Sequence, residues 1–377
     1  MIIGRAVPEV RYLALRKDPV KIAPWLFGPR VDVLAFTGTA VAALALVALR
    51  RSCGWAPELP EWGFIVFVVG VDVAHVYATL FRTYFDGAEL RRHRLRYIGV
   101  PVAVYAGSVA LHLVSGPAFF RVLAYLAVWH FVRQQVGWAA LYRARAPGTA
   151  IDRVVDDAAV YAATGYPLLY WHAHAGEKQF AWLVQGDFVD VPAIAAALLG
   201  PARLLWFGAL GAFFVRQLAR ALVEGRLALG KTALVATTAA TWHVGIVGST
   251  GDFDFTVTNV LTHGVPYMVL LYSYGRASSL AGRRSFGGSF LAYGVVAFVS
   301  FLFSCALVEE GLWDKLVWHD HEWLFGSTDV TLGRVAASLV VPLLALPQAV
   351  HYVLDGLLWR RREPALAALR GYIVQAT

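Results

Sequence analysis

The chain holds 11 histidines. Five of them fall inside apolar stretches, where an ionisable side chain is costly and marks function. His75 stands in VDVAHVYATLFRTYFD with Asp72, and His130 in WHFVRQQVGW with Arg133, Gln134 and Gln135. His243 stands in TWHVG, His263 in TNVLTHGVPY with Asn259, and His351 in LPQAVHYVLDGLLWR with Gln348 and Asp355. Asp72 and His75 are i,i+3. Asn259 and His263, His130 and Gln134, and His351 and Asp355 are i,i+4, so each pair shares one helix face. A metal-bound histidine donates its second ring nitrogen to a carboxylate or amide. Helical bundles also build iron and manganese sites from inward-facing carboxylates and histidines. Asp72 and Asp355 are therefore read either as ligands or as partners of ligands.

The donor set narrows the metal. Cys53 and Cys305 are the only cysteines, which excludes a disulfide framework and a thiolate cluster. Imidazole with carboxylate suits iron, with zinc or copper as alternatives. A b-type haem between two facing histidines ranks below these. Arg133 lies one turn from His130, and a fixed cation repels a metal ion. Arg133, Gln134 and Gln135 are expected to orient substrate or water, with the arginine free to neutralise Asp72 or Asp355 or to hold an anionic group. For any one of the five histidines the plainer reading is an interhelical hydrogen bond. Their number and common depth argue for a joint site.

The elements that position these residues are membrane helices. Of 377 residues 58% are hydrophobic and 15% charged, against about 25% charged in soluble proteins. A disordered chain is excluded, and the composition argues against an ordinary cytosolic enzyme. Ten spans are expected at roughly 32–49, 63–81, 97–115, 118–142, 155–171, 203–222, 232–248, 255–274, 288–308 and 335–358, because a span needs ~20 mostly apolar residues. Residues 192–202 are expected to add a short interfacial or re-entrant helix, and residues 10–30 an amphipathic surface segment anchored by Trp25 and Phe27. No cleavable leader is visible. Pro266, Pro342 and Pro347 are expected to kink the eighth and tenth spans.

The net charge of +8 points to insertion topology and not to nucleic acid. Basic residues gather at the N-terminus, after the even-numbered spans and at the C-terminus, while Glu177, Asp187, Asp190, Asp252, Asp254, Glu309, Glu310, Asp314, Asp320, Glu322 and Asp329 occupy the opposite loops. The positive-inside rule then places both termini in the cytoplasm. The expected organisation is an all-α polytopic bundle: a basic N-terminal segment 1–31, a transmembrane domain 32–360 and a basic tail 361–377. Arg82, Thr83 and Asp86 read as snorkelling and helix termination at the inner interface.

Counting ~1.5 Å per residue from the flanking basic anchors puts His75, His130, His243, His263 and His351 in one slab ~10 Å thick, with His112 higher. Two outer pairs, His172 with His174 and His319 with His321, could bind surface zinc or copper. Their plainer reading is solvated loops beside an aromatic belt of Trp171, Trp318 and Trp323.

The stretch LPQAVHYVLDGLLWR, through Pro347, His351, Asp355 and Arg360, resembles the late Pro-His segment of histidine-rich membrane oxygenases and desaturases, in particular the bacterial Brp/Blh carotene-cleavage type. That family's early Pro-His-Gly motif has no counterpart here, nor do the clustered histidine boxes of fatty-acid desaturases. The resemblance implies a non-haem iron site acting on a lipid such as a carotenoid. TWHVG and LTHGV, through Trp242, His243, His263 and Gly264, are similar to membrane-bound O-acyltransferases, which would make His263 a base activating a hydroxyl.

The leading expectation is a metal-dependent oxidoreductase in a bacterial inner membrane. Its substrate would be a hydrophobic molecule entering from the bilayer, and a cytoplasmic donor would supply electrons. Acyl transfer through His263 and an ion or metal transporter using a His/Asp relay are the alternatives.

Overall fold

The computed structural model describes residues 21–22, 24–146, 148–280 and 285–358. Ten long helical segments carry the fold: α1 (Pro29–Cys53), α2 (Glu61–Arg82), α3 (Arg94–Val114), α4 (Gly116–Arg145), α5 (Ala150–Ala173), α6 (Pro192–Glu224), α7 (229–247), α8 (Asp252–Leu280), α9 (Val295–Trp318) and the bent pair α10a (Arg334–Leu344) and α10b (Leu346–Leu358). Five of them, α1, α2, α3, α6 and α9, are long and apolar enough to cross a membrane, and the bent pair makes six. The remaining long helices are more polar, and α4 and α8 are the ones that carry His130 and His263.

Four differences from the expected spans have physical causes. Residues 192–202 form no separate helix. Pro192 opens α6, and Pro201 is carried inside one continuous rod. The ninth span begins and ends later than expected. Gly294 sits at φ 95°, a conformation that breaks the preceding turn, so α9 starts at Val295 and runs on through Glu309, Glu310 and Asp314. Those three acids are helix residues and not loop residues. The third difference is at the N-terminal side, where most of the expected surface segment lies outside the described residues. Its described part pairs Lys21–Ile22 in parallel with Arg226–Leu227. Leu26 and Phe27 then turn into the core, both backbone N–H groups donating to Asp32 at 2.7 and 2.8 Å. Phe27 is therefore a core residue and not a bilayer anchor. Finally, Arg82 does not snorkel. It is fully buried, 3.0 Å from Glu89 and over the Tyr274 ring. Asp86 does serve as a helix cap, accepting from the N–H groups of Ala88 and Glu89.

The elements that matter for the site are α2, α4, α8 and α10b. α2 packs against α8 and α9, while α10b packs against α3, α4 and α2. Close α2–α8 packing depends on Gly264: a Cβ there would lie 2.7 Å from a Val71 methyl carbon and 3.1 Å from the Val71 carbonyl. The 43° bend in α10 lies between Leu344 and Leu346. Pro347 lacks the N–H that would continue the ladder to Leu343, so the chain turns and α10b presents His351 and Asp355 to α4 and α2. Pro266 lies inside the continuous α8.

Candidate metal centre

His75 of α2, His130 of α4, His263 of α8 and His351 of α10b converge, each offering a ring nitrogen within 4.8 Å of the others. All four are buried. The Nε2 atoms of His75 and His263 are 3.1 Å apart, as are those of His130 and His351. A tetrahedral centre with nitrogens at 2.0–2.1 Å has edges of ~3.4 Å, so the two close pairs already stand near ligand spacing. The wider separations need a modest inward shift of the rings. This buried four-histidine group could hold a metal ion.

The outward-facing ring atoms support that use. His75 Nδ1 is 3.3 Å from the Val71 carbonyl, which only accepts, so Nδ1 carries the hydrogen and Nε2 keeps its lone pair. His130 Nδ1 faces the Asp355 carboxylate at 3.6 Å. His351 Nδ1 is 2.8 Å from the Thr79 hydroxyl, which in turn meets the Tyr267 hydroxyl at 3.1 Å. Partners of this kind fix the tautomer and aim Nε2 inward. The His263 ring lies flat on Phe131, with centroids 3.5 Å apart and planes 7° apart. Its Nδ1 is buried without a hydrogen-bond partner, and so is Asn259 Oδ1 one turn earlier.

The expected site residues separate clearly. Asp355 stands 3.6 Å from His130 Nδ1 and Asp72 3.9 Å from His75 Nδ1, and neither belongs to the group of four whose ring nitrogens converge. His243 does not join the group. It opens a short π-helical turn at the end of α7 and packs against Tyr166 and Trp206. Arg133 points away from the group, its Nη1 donating to Tyr161 at 2.6 Å and its guanidinium lying over Trp129. Gln135 accepts from Thr238 of α7. Gln134 is buried with both side-chain polar atoms unpartnered.

The outer histidines do not assemble. His172 and His174 each donate Nδ1–H to a carbonyl one turn back, at 2.7 and 2.9 Å. His321 stacks on Phe64, and burial there holds its pKa below the ordinary histidine value. Among the described residues no second group of three or more histidine, cysteine or carboxylate donors converges.

Two neighbours of the centre were legible by spacing and went unread. Thr79 is i+4 from His75, and Tyr267 is i+4 from His263. Glu309, read as a loop acid, is instead buried in α9 and accepts from the Tyr77 hydroxyl of α2 at 2.5 Å. Its place straight after an apolar run was the available signal.

Comparison with models of known protein families, with curated proteins and with solved structures found no match to this chain.

Proposed function

We propose that the four histidines form the metal centre of an integral-membrane oxidoreductase that acts on a lipid-soluble substrate. The observation that carries this reading is the arrangement of the four rings. The Nε2 atoms face one another and three of the four Nδ1 atoms face fixed partners. Imidazole-only ligation suits zinc, copper, iron or nickel. Iron is preferred here because it is redox-active and because the His351 segment resembles the carotene-cleaving membrane oxygenases. Bound there, the ion would supply oxygen activation or polarisation of the substrate.

The chain's own groups hold the rings. Thr79 accepts the Nδ1 proton of His351, and the Asp355 carboxylate stabilises the Nδ1–H form of His130. Phe131 and Tyr267 wall the centre with aromatic surface. Ten helices crossing a bacterial inner membrane, with both termini in the cytoplasm, complete the reading. A substrate would then approach from the bilayer and electrons from a cytoplasmic donor.

Acyl transfer finds less support. His263 is stacked on Phe131 and aims Nε2 at His75, and its remaining ring nitrogen, Nδ1, is buried. The glycine that follows it has a packing reason of its own. A haem also fits poorly, because four nitrogens crowded around one point leave no plane for the macrocycle.

The test is elemental analysis and an absorption spectrum of the purified protein. The expected result is about one iron per chain, bound tightly enough to survive purification, with no haem band. Metal-free protein that keeps its fold would overturn the proposal.

A further inference from the structure

Counting hydrogens separates the four rings. A ligand nitrogen carries no hydrogen, so a neutral imidazole that binds an ion through Nε2 holds its hydrogen on Nδ1. Three of the rings have an acceptor at that position. His75 Nδ1 is 3.3 Å from the Val71 carbonyl. His130 Nδ1 faces the Asp355 carboxylate at 3.6 Å. His351 Nδ1 is 2.8 Å from the Thr79 hydroxyl, a group that accepts as well as donates. His263 is the exception: among the described residues nothing hydrogen-bonds its buried Nδ1.

The close pairs supply the second half. His75 and His263 meet through Nε2 atoms 3.1 Å apart, and two neutral imidazoles in that contact share one hydrogen. The Val71 carbonyl keeps the His75 hydrogen on Nδ1, so His75 Nε2 accepts and His263 Nε2 donates. To become a ligand, His263 must therefore move its hydrogen to Nδ1. A buried N–H without an acceptor is expensive. The hydrogen that His351 holds on Nδ1 has Thr79 to receive it.

Two neighbours of His263 do not repair this. Asn259, one turn earlier on α8, is held through its amide nitrogen by the Phe255 carbonyl at 2.9 Å, and its Oδ1 finds no hydrogen-bond partner among the described residues. Phe131 lies flat on the imidazole, with centroids 3.5 Å and planes 7° apart. Such a stack sets the plane of the ring but lacks the directional hold of a hydrogen bond within that plane. Structural metal sites are closed by four protein ligands, whereas catalytic ones keep three and leave the fourth position to water or substrate.

We propose that His263 is the exchangeable ligand of the centre. It closes the site at rest and yields its place to an oxygen or nitrogen donor of an incoming small molecule, while His75, His130 and His351 hold the ion. This rests on the reading of the four histidines as a metal centre. The bond from His263 Nε2 to the ion breaks, the bond from the incoming donor forms, and no electron changes hands. The released Nε2 keeps its lone pair and stands beside the incoming atom as a hydrogen-bond acceptor.

Azide is a suitable probe, being a small linear anion that binds through nitrogen and contains no imidazole. Full-length protein in detergent is loaded with cobalt(II), and azide binding is followed by the visible absorption of the ion. The imidazole count is read before and after from multiple scattering in the X-ray absorption spectrum. The expected result is one azide per chain, with the imidazole count falling from four to three. Cobalt-loaded His263→Ala should bind azide ~10-fold more tightly than the native chain, because nothing has to be displaced. Among the four alanine variants it should also lose the least cobalt affinity, by a margin of ~10-fold, the scale set by one unsatisfied buried N–H. Asn259→Ala should bind cobalt as the native chain does. The native measurement needs no substitution and decides the matter if His263→Ala does not fold. Azide that adds beside four retained imidazoles, or that fails to bind the loaded native chain, overturns the exchange and leaves the metal centre standing. Weakened cobalt binding in Asn259→Ala makes Asn259 the missing acceptor and also overturns it. A native chain that takes up no cobalt overturns both readings.

Discussion

His263 and His243 both stand in long helices, one after a threonine and the other after a tryptophan, yet their surroundings have little in common. His263 meets three other imidazoles and lies flat on Phe131. His243 meets only Tyr166 and Trp206, on the α5–α6 side of α7. The sequence puts both at one depth, but their rings meet different neighbours. What separates a candidate ligand from a packing histidine is whether a ring nitrogen meets other imidazole nitrogens or the ring meets only aromatic neighbours.

The largest effect expected from this contrast is on metal content. His75→Ala, His130→Ala, His263→Ala and His351→Ala should each lower affinity by more than the ~10–100-fold typical of losing an outer partner, read by elemental analysis after purification. His243→Ala should leave metal content unchanged. Loss of metal in His243→Ala, or retention in any of the other four, would erase the distinction.

The outer partners come next. Thr79→Val removes the acceptor for His351 Nδ1, and Asp355→Asn removes the carboxylate beside His130. Each should weaken metal binding by ~10–100-fold, measured by competition with a chelator, while the protein keeps its helical content. Equal affinities in variant and native protein would mean that these contacts do not tune the ligands.

Packing gives a smaller and different signal. Gly264→Val puts a branched side chain where α2 approaches within van der Waals contact, an overpacking that costs ~1–3 kcal/mol. Thermal unfolding should fall, and metal content should fall with it, because His75 and His263 sit on the two helices being parted. The smallest effect is expected at Arg133. Its guanidinium faces Tyr161 and Trp129, away from the four rings, so Arg133→Gln should change metal affinity less than twofold and stability by no more than ~0.5 kcal/mol.

Much of this was legible in the sequence, and the failures have a common cause. Helical spacing and depth put His75, His130, His263 and His351 at one level, and the structure brings those four together. The same arithmetic included His243, because depth along a rod says nothing about which way the rod is turned about its axis. Arg133 and Gln135 show the same limit: each is near His130 in sequence, but they leave α4 toward α5 and α7. The charge pattern misplaced Glu309, Glu310 and Asp314, since acids ending an apolar run read as a loop. Packing against α2 and the Tyr77 hydroxyl lets α9 carry them. Thr79 and Tyr267 were passed over because hydroxyl-bearing residues are common in buried helices, although both stand one turn from a histidine.

The most direct measurement of the central claim is the X-ray absorption spectrum of the purified, metal-loaded protein. The account predicts a shell of about four nitrogens at ~2.0–2.1 Å with the multiple-scattering pattern of imidazole. A shell dominated by oxygen or sulfur, or a metal that binds equally well after His351→Ala, would contradict it.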